Sequence, residues 1–506
     1  MKPSNKIEFG DFQTPQNLAR EVCDLLLRLG ERPGMIVEPT AGRGAFLTAA
    51  AHAFPLATLR GWEINPDYVT EAKRELTACG ATSRSDVVCQ DFFACDWDAE
   101  LRALSGNLLL LGNPPWVTNA GVAAVGGTNL PTKENFHGLR GLAARTGKAN
   151  FDISEWMLIR LLRALHGRTA TLAMLCKTAT ARKFLRYAWR NEGHIATASL
   201  HRIDSTKHFD AAVDACLLYL RTGKNGPEEA DVYASLGATE PTHRIGLAGE
   251  ELVTDIPGYR ALKYLEGICP FRWRSGVKHD CAAVMELRPA AEGEIENTAG
   301  ERFKLEPRYL YPLLKCSDLA NGRITPKRLV LVTQRLVGDD TAVIEKAAPL
   351  TWSYLQKHRD RFLARKSSIY KGRVPFSLFG IGDYAFAPWK VALSGLHKSA
   401  RFQVIGPVQG KPVFFDDTCY YLSFENEADA RLINDVLNSA PCQQFLAVLI
   451  FTDSKRPLTV DLLQRLNLAA IATAAGLGER WQKIQRAQYR ADAPQLELVM
   501  DTPPNL

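Results

Sequence analysis

The sequence predicts an α/β fold: an open sheet of seven strands over residues 1–245, followed by a mixed α+β domain over residues 246–490. Two observations predict the sheet. Short apolar runs that fit buried strands alternate with helical patterns, and polar or glycine-rich turns directly follow these runs. A third observation separates the second domain, because its β-like runs are short and lie between Pro- and Gly-rich turns. The Pro-rich residues 491–506 are predicted to form a loose tail.

Length and composition indicate a globular protein. The 506 residues suffice for about two to four domains, and 46% of them are hydrophobic and 23% charged. No apolar run reaches the ~20 residues of a membrane helix, and Met1 to Gly10 lacks the apolar core of a signal peptide, so we expect a cytoplasmic location. The 11 cysteines form no Cys-x-x-Cys pair, so we expect reduced thiols and no structural metal.

The positive charge is concentrated in one segment of the second domain. The whole chain carries +7, whereas Thr351 to Arg401 contains ten Lys/Arg and two acids, a net charge of +8. Aromatic residues are interleaved with these cations, a pattern that suits a polyanion with stackable bases, although a solvated face over an ordinary core would give it too. The candidate nucleic-acid contacts are Arg359, Arg361, Arg365, Lys366, Lys371 and Arg373.

The first predicted element is an amphipathic helix that begins after Gln13. Thr14 suits the N-cap and Pro15 the first helical position, and apolar residues then recur at three- and four-residue spacing as far as Gly30. The free backbone donors and the threonine hydroxyl at this helix start could hold a carboxylate from a ligand.

A glycine turn follows the first predicted strand, residues 35–37. The sequence Glu-Pro-Thr-Ala-Gly-Arg-Gly at 38–44 lacks the third glycine of the dinucleotide-binding pattern, and its acid would repel a pyrophosphate. An acid there suits a ligand that carries an amino group, although a plain tight turn would have a similar sequence. The candidate ligand contacts in this turn are Glu38, Pro39, Ala41, Gly42 and Gly44.

Two further predicted strands also end in acidic residues. The strand 58–62 runs into Glu63 and Ile64, and an acid at this place can accept both hydroxyls of a ribose. The strand 86–89 is followed by Asp91 and Phe92, whose carboxylate and ring could bind an amino group and the face of a base. Each acid alone could be an ordinary surface residue, but successive strand ends meet at one edge of the sheet.

The most informative stretch is an apolar run, 108–112, that leads into Asn113-Pro114-Pro115-Trp116. Four consecutive leucines fit a strand buried on both faces, and the prolines must end it. The asparagine is thereby held at the carboxyl end of the strand, the edge where open α/β sheets bind ligands. Its acceptor oxygen, the Pro114 carbonyl and the flat Trp116 side chain suit a planar ring with an amino group, although a strand with a polar turn is the simpler alternative.

Five motifs therefore occur in order: Gln-Thr-Pro (13–15), Glu-Pro-Thr-Ala-Gly-Arg-Gly (38–44), Glu-Ile-Asn-Pro (63–66), Asp-Phe-Phe (91–93) and Asn-Pro-Pro-Trp (113–116). Together they resemble the S-adenosylmethionine-dependent adenine-N6 DNA methyltransferases of the gamma arrangement, a restriction-modification family. The resemblance implies a Rossmann-like seven-stranded methyltransferase domain, then a target-recognition domain. Trp116 stands where tyrosine or phenylalanine is commoner in the family, which preserves stacking but removes any tyrosine hydroxyl.

The resemblance also implies partners and residue roles. It implies a double-stranded DNA substrate whose adenine is flipped out, a separate restriction endonuclease, a monomer and a bacterial or archaeal cytoplasm, in association with the nucleoid. Thr14 with Pro15 would meet the methionine carboxylate, Glu38 and its turn the methionine end, Glu63 with Ile64 the ribose, and Asp91 with Phe92 the adenine of the cofactor. Asn113, Pro114, Pro115 and Trp116 would form the catalytic motif, with Asn113 also beside the cofactor, and Phe209 would be a second aromatic on the target base.

The rest of the chain completes this organisation. Residues 117–150 are predicted to form a long substrate-facing loop, and the runs 169–175, 195–200 and 213–219 are predicted to be the last three strands of the sheet. Phe209 precedes the last of these strands, where a hydrophobic anchor for the loop is the alternative to a base contact. The polar and acidic residues 221–242 are predicted to contain or precede a linker.

Three other functions remain open from the sequence. Cytosine-N4 methylation uses nearly the same site, and methylation of RNA or of a protein glutamine also uses Asn-Pro-Pro-aromatic motifs. A basic second domain favours DNA over the latter two substrates. A non-catalytic specificity subunit is a different class of protein, and the intact motifs argue against it.

Overall fold

A computed structural model describes residues 13–117, 152–210, 213–454 and 456–483. The predictions of a substrate-facing loop over 117–150 and of a loose tail after 490 lie almost wholly outside the described residues. The chain divides into two compact units, Met1–Pro257 and Gly258–Leu506.

The first unit is built on a sheet of ten strands in its described part. Their order across the sheet is β10-β9-β8-β6-β7-β5-β4-β1-β2-β3. The strands are β1 Met35–Glu38, β2 Thr58–Glu63, β3 Ser85–Cys89, β4 Leu108–Gly112, β5 Ala170–Lys177, β6 Ile195–Ile203, β7 Ala215–Thr222, β8 Glu229–Tyr233, β9 Pro241–Ala248 and β10 Glu251–Val253.

The centre of this sheet is parallel. Strands β3, β2, β1, β4 and β5 run parallel to one another, so their carboxyl ends share one edge. Strand β7 lies antiparallel between β5 and β6. All seven predicted strands are therefore present, and the prediction of a Rossmann-like α/β domain is confirmed. The helices of this unit are α1 Gln16–Arg28, α2 Ala45–Ala53, α3 Pro66–Ala78, α4 Trp97–Ala103, α5 Ile153–Ala164, α6 Thr178–Asn191 and α7 Ser205–Phe209.

The sheet extends beyond the seven predicted strands. Strand β8 pairs with β6, and β9 and β10 continue the sheet outwards, so residues 229–233 and 241–248 form strands rather than the predicted linker. The predicted domain boundary at residue 245 falls inside β9, whereas contacts divide the chain after Pro257. In β8 only Ala230 and Val232 are buried, because Glu229, Asp231 and Tyr233 alternate with them and lie on the opposite face of the strand.

In its described residues, the second unit contains two small sheets with helices, a mixed α+β structure. One sheet has the order β11-β20-β17-β18, and the other has the order β14-β13-β12-β16-β15-β19. Its strands are β11 Arg274–Ser275, β12 Glu286–Pro289, β13 Ile295–Asn297, β14 Arg302–Phe303, β15 Leu310–Leu314, β16 Arg328–Leu331, β17 Trp389–Ser394, β18 Gln403–Ile405, β19 Phe414–Phe415 and β20 Cys419–Phe424.

Most helices of the second unit are short. They are α8 Ile256–Leu262, which begins at the end of the first unit, α9 Ala282–Met285, α10 Cys316–Ala320, α11 Val343–Ala347, α12 Pro349–Lys357, α13 Arg359–Leu363, α14 Asp383–Phe386, α15 Glu427–Asn438, α16 Ala440–Leu449, α17 Val460–Gln464 and α18 Leu468–Ala474. Within the residues that the structure describes, none of the helices combines the length and the apolar character that crossing a membrane requires.

Candidate functional site

A cavity of ≈490 Å³ lies at the edge of the sheet where β1, β2, β3 and β4 end. Its volume falls within the ~300–1,000 Å³ typical of small-molecule sites. Each of the five sequence motifs contributes at least two residues to its wall. The lining residues are Gln13, Thr14, Glu38, Pro39, Thr40, Ala41, Gly42, Ala45, Trp62, Glu63, Ile64, Asn65, Pro66, Tyr68, Gln90, Asp91, Phe92, Phe93, Asn113, Pro115, Val117, Ile153 and Met157.

The two glycines of the first turn have different functions. Gly42 has φ +50°, lines the cavity, and a Cβ there would lie 2.7 Å from Gln13 Oε1. Gly44 has φ +82° and does not line the cavity; a Cβ there would lie 2.9 Å from the Cβ of Ala72 in α3. Gly42 therefore keeps the turn open at the cavity, whereas Gly44 allows the start of α2 to pack closely against α3.

Glu38 is a buried acid in the wall of the cavity. Only 3% of its surface is exposed, and Oε2 has no hydrogen-bond partner among the described residues. Burial raises the pKa of the Glu38 carboxyl well above its ordinary value, and the charge of Glu63 raises it further. A buried acceptor without a partner costs stability, so this carboxyl suits a ligand that brings a donor or a positive charge.

Glu63 joins the glycine turn to the second strand. Its Oε2 accepts a hydrogen bond from the backbone N–H of Gly42 at 2.7 Å, and Oε1 accepts one from the N–H of Asn65 at 2.9 Å. Each carboxylate oxygen can accept a second hydrogen bond, so the acid is fixed in position and can still bind hydroxyl groups.

Asp91 and Phe92 form a short turn after β3. Asp91 Oδ1 accepts a hydrogen bond from the N–H of Phe93 at 3.0 Å, which fixes the acid at the start of the turn 92–94. The Phe92 ring is 5% exposed and packs 4.7 Å from the Trp97 ring, between centroids. Both residues line the cavity, and Phe93 beside them does so as well.

Asn113 is held by a contact with the start of the chain. Its Nδ2 donates a hydrogen bond to Thr14 Oγ1 at 3.2 Å. The prediction that Thr14 caps α1 is wrong, because Pro15 occupies the N-cap position and the helix begins at Gln16. The Thr14 hydroxyl instead fixes the nitrogen side of the Asn113 amide, which directs the carbonyl oxygen the opposite way.

Trp116 and Phe209 contact each other at the end of the sheet. Their ring centroids are 5.0 Å apart at an angle of 63°, and Trp116 Nε1 donates to the carbonyl of Leu175 at 3.4 Å. The two side chains are only 6% and 8% exposed. The two rings pack edge to face, whereas a base stacked between them would need a separation of about 7 Å, two carbon contact distances.

The cavity does not include every residue predicted for the site. Pro15, Gly44, Pro114 and Trp116 are absent from its wall. Sequence patterns missed Gln13, Tyr68, Phe93, Ile153 and Met157 as lining residues. Gln13 adjoins the Thr-Pro pair and could have been found, whereas Ile153 and Met157 belong to α5, whose apolar face has the pattern of an ordinary core helix.

The six cations predicted for nucleic acid lie in the second unit, on and after α13. Five of them, Arg359, Arg361, Lys366, Lys371 and Arg373, are exposed and form no ion pair with a described residue. Arg365 differs, because its Nη1 donates to the carbonyls of His279 at 3.2 Å and Ser377 at 2.8 Å. Its guanidinium also lies 3.6 Å from the centre of the Tyr370 ring, so Arg365 is a packing residue.

Comparisons with known proteins relate this chain to one family. The chain is 42% identical over 473 residues to the Type II methyltransferase M.NspV of Nostoc sp., covering 92% of this chain and 98% of that protein. It is 34% identical over 108 residues to the Type II methyltransferase M.XamI of Xanthomonas campestris pv. amaranthicola, covering 21% of this chain and 20% of that protein. No protein-family model matches the chain.

A solved structure shares the fold. The Type IIL restriction-modification enzyme MmeI, solved in complex with DNA, superposes with a TM-score of 0.57 and 13% identity, covering 92% of this chain and 69% of that chain. At such a low identity the likeness concerns the architecture and not the chemistry.

Proposed function

The chain belongs to the Type II methyltransferases, and we propose that it transfers a methyl group from S-adenosylmethionine to the N6 amino group of adenine in double-stranded DNA. One observation carries this proposal: the cavity runs along successive strand ends and reaches Asn113, the asparagine of the Asn-Pro-Pro-Trp motif. A methyl donor and an amino group would meet at that residue.

The cavity wall fits the parts of S-adenosylmethionine. Glu38 is a buried carboxyl with an oxygen that lacks a partner, and it suits the amino group of the methionine part. Glu63 is anchored by two backbone N–H groups and can accept from both ribose hydroxyls. Asp91 can accept from the exocyclic amino group of the cofactor's adenine, and Phe92 and Ile64 supply apolar surface to the ring. We propose that Thr14 and the turn with Pro39, Ala41 and Gly42 enclose the methionine end.

Residues at the end of β4 would activate the target amino group. When bound, S-adenosylmethionine supplies an already electrophilic methyl group, so the protein's task is mainly to orient the acceptor. The N6 lone pair of adenine is delocalised into the ring. If Asn113 Oδ1 and the Pro114 carbonyl accept the two amino hydrogens, they draw the nitrogen toward tetrahedral geometry and stabilise its developing positive charge. Pro115 stiffens the turn that presents these acceptors.

We propose that Trp116 and Phe209 border the pocket for the target base. The base must leave the duplex to reach Asn113, and aromatic faces compensate for part of the lost stacking. The two rings contact each other at 5.0 Å, so one of them must move when a base enters between them. Trp116 is held by its hydrogen bond to Leu175, which makes Phe209 the ring that moves.

The second unit would bind the duplex. The five exposed cations on and after α13, Arg359, Arg361, Lys366, Lys371 and Arg373, form no ion pair with a described residue and suit DNA phosphates, and each contact would release counterions. The relative M.NspV is named a Type II methyltransferase, and this name and the exposed cations both support modification of DNA. We propose that the modification is site-specific and that a separate endonuclease cuts unmodified sites. We propose that the protein acts as a monomer in the cytoplasm.

The test is to incubate purified protein with methyl-labelled S-adenosylmethionine and unmethylated plasmid DNA, and then to digest the DNA and separate its nucleosides. We expect the label in N6-methyl-2′-deoxyadenosine. Label in the N4-methylated cytosine nucleoside would overturn the adenine assignment in favour of cytosine-N4 methylation. Label that appeared only on RNA or protein substrates would overturn the DNA assignment.

A further inference from the structure

Residues 113–117, which follow β4 and include the Asn-Pro-Pro-Trp motif, form what we call the motif turn. The pairing of β4 with β5 ends at Gly112 and Met174, and the motif turn begins at the next residue, Asn113. Pro114 and Pro115 have no backbone N–H with which to attach the turn to a neighbouring strand. Contacts of the residues after the prolines must therefore keep the turn in place.

Hydrogen bonds to two neighbouring elements hold the residues after the prolines. Trp116 Nε1 donates to the carbonyl of Leu175 in β5 at 3.4 Å. The backbone N–H of Ile153, the first residue of α5, donates to the carbonyl of Val117 at 3.0 Å. The first bond attaches the motif turn to β5 directly. The second attaches it to α5, so the position of Val117 depends on where that helix begins.

An ion pair joins the start of α5 to the end of β5. Asp152 is the N-cap of α5, and its Oδ1 accepts hydrogen bonds from the backbone N–H of Ser154 at 3.1 Å and from Ser154 Oγ at 2.5 Å. Its Oδ2 accepts from the ammonium of Lys177, the last residue of β5, at 2.9 Å. The carboxylate thus uses one oxygen to begin the helix and the other to bind the strand.

Most of this ion pair is shielded from water. The side chain of Asp152 is 9% exposed and that of Lys177 is 25% exposed. Solvent and salt screen such a pair less than a pair on the surface, and its separation would leave a buried carboxylate without its counter-charge. The ion pair therefore limits how far the start of α5 can shift from the end of β5.

We propose that Asp152 and Lys177 are positioning residues for methyl transfer. Their ion pair holds the start of α5, the N–H of Ile153 then holds Val117, and the motif turn that presents Asn113 is fixed in consequence. Neither member of the pair lines the cavity, so both act through the turn rather than by contact with the cofactor. This inference rests on the proposed function, in which Asn113 orients the target amino group.

The experiment compares Lys177→Met with wild type in single-turnover methylation of plasmid DNA that the wild-type enzyme methylates. We expect the rate to fall roughly 10- to 100-fold, because a small displacement of a catalytic group is costly. The Kd for S-adenosylmethionine should stay within a few fold, since the acids of the cavity wall, Glu38, Glu63 and Asp91, lie at the ends of other strands. Lys177→Arg keeps the charge and should retain most of the rate.

Asp152→Asn tests the other partner without leaving a buried carboxylate unpaired. The amide oxygen can still accept from Ser154, but the amide NH2 then faces the Lys177 ammonium, and two donors form no hydrogen bond. If the two residues act as one unit, D152N/K177M should be no slower than the slower single variant. Rate losses that multiply in the double variant would show that the residues act independently, and would overturn the proposal.

A matched control breaks another ion pair of α5. Arg160 Nη2 lies 2.5 Å from Asp98 Oδ2, and the Arg160 side chain is also 25% exposed, but this pair joins α5 to α4. Arg160→Met should leave the single-turnover rate unchanged, even if it lowers the melting temperature as much as Lys177→Met does. Equal rates for K177M and wild type, or an equal loss in R160M, would overturn the positioning role. If wild type transfers no methyl group to any DNA, the proposed function itself fails.

Discussion

The Asn113 amide and the Thr14 hydroxyl are hydrogen-bonded across 3.2 Å, although the residues lie 99 positions apart in sequence. Asn113 belongs to the turn after β4, and Thr14 lies two residues before the start of α1 at Gln16. The contact fixes the nitrogen side of the amide, so the carbonyl oxygen that would accept from the target amino group has a defined direction. In the proposed mechanism, Thr14 is thus a positioning residue for Asn113.

The first prediction concerns this contact. Thr14→Val keeps the shape of the side chain but removes the acceptor, and we expect kcat to fall roughly 10- to 100-fold because the amide is no longer oriented. Thr14→Ser should retain most activity. Single-turnover rates and cofactor titrations separate the effects: a variant that loses cofactor affinity but keeps its single-turnover rate would contradict the positioning role and leave Thr14 as a cofactor contact only.

The second prediction concerns the buried acid. Burial raises the pKa of the Glu38 carboxyl above its usual value of 4.5. The contribution of Glu38 to folding stability is therefore fully present when the pH is below 4.5, and it is lost as the pH rises through the raised pKa. Glu38→Gln should therefore make the ligand-free protein more stable at neutral pH, as measured by thermal unfolding.

The same variant should bind S-adenosylmethionine more weakly, because the amide carries no charge to attract the amino group. Wild-type affinity should also rise as the pH increases through the raised pKa of Glu38, and this dependence should disappear in Glu38→Gln. Calorimetry over a pH series checks both effects. Unchanged affinity at all pH values would mean that Glu38 does not face the ligand.

The third prediction separates Arg365 from its neighbours. Arg365→Ala loses the hydrogen bonds to the His279 and Ser377 carbonyls, and should lower the free energy of unfolding by about 1–3 kcal/mol. Lys366→Ser, on an exposed neighbouring side chain, should leave stability unchanged and reduce the salt slope of DNA binding by roughly 1. Chemical denaturation and binding titrations at several salt concentrations give both quantities, and the reverse pattern would refute this division.

The fourth prediction concerns Phe209. Phe209→Ala should reduce methylation most when the target adenine is paired with thymine, since stacking on the aromatic is worth ~1–3 kcal/mol against the cost of unpairing. A mismatch opposite the adenine should restore part of the activity. An equal loss on both duplexes, with an unchanged melting temperature, would make Phe209 an anchor of the protein core, consistent with its contact with Trp116.

The elements that position the site could be predicted from the sequence, because each strand has a local signal. Strand β4 is a run of leucines buried on both faces, and β1 ends at an acid and a glycine turn. Strands β8 and β9 were missed, because each buries only two residues and their polar faces look like a linker. The Thr14 contact and the packing role of Arg365 depend on residues remote in sequence, which local patterns do not reveal.

The central claim is that Asn113 acts on the reacting nitrogen rather than on binding, and the rate of methyl transfer in Asn113→Ala tests it most directly. A single-turnover assay with labelled S-adenosylmethionine and a saturating duplex gives the rate, and equilibrium titrations give the affinities for cofactor and DNA. We predict that transfer is abolished while both affinities stay within a few fold of wild type. Appreciable transfer by Asn113→Ala would contradict the account.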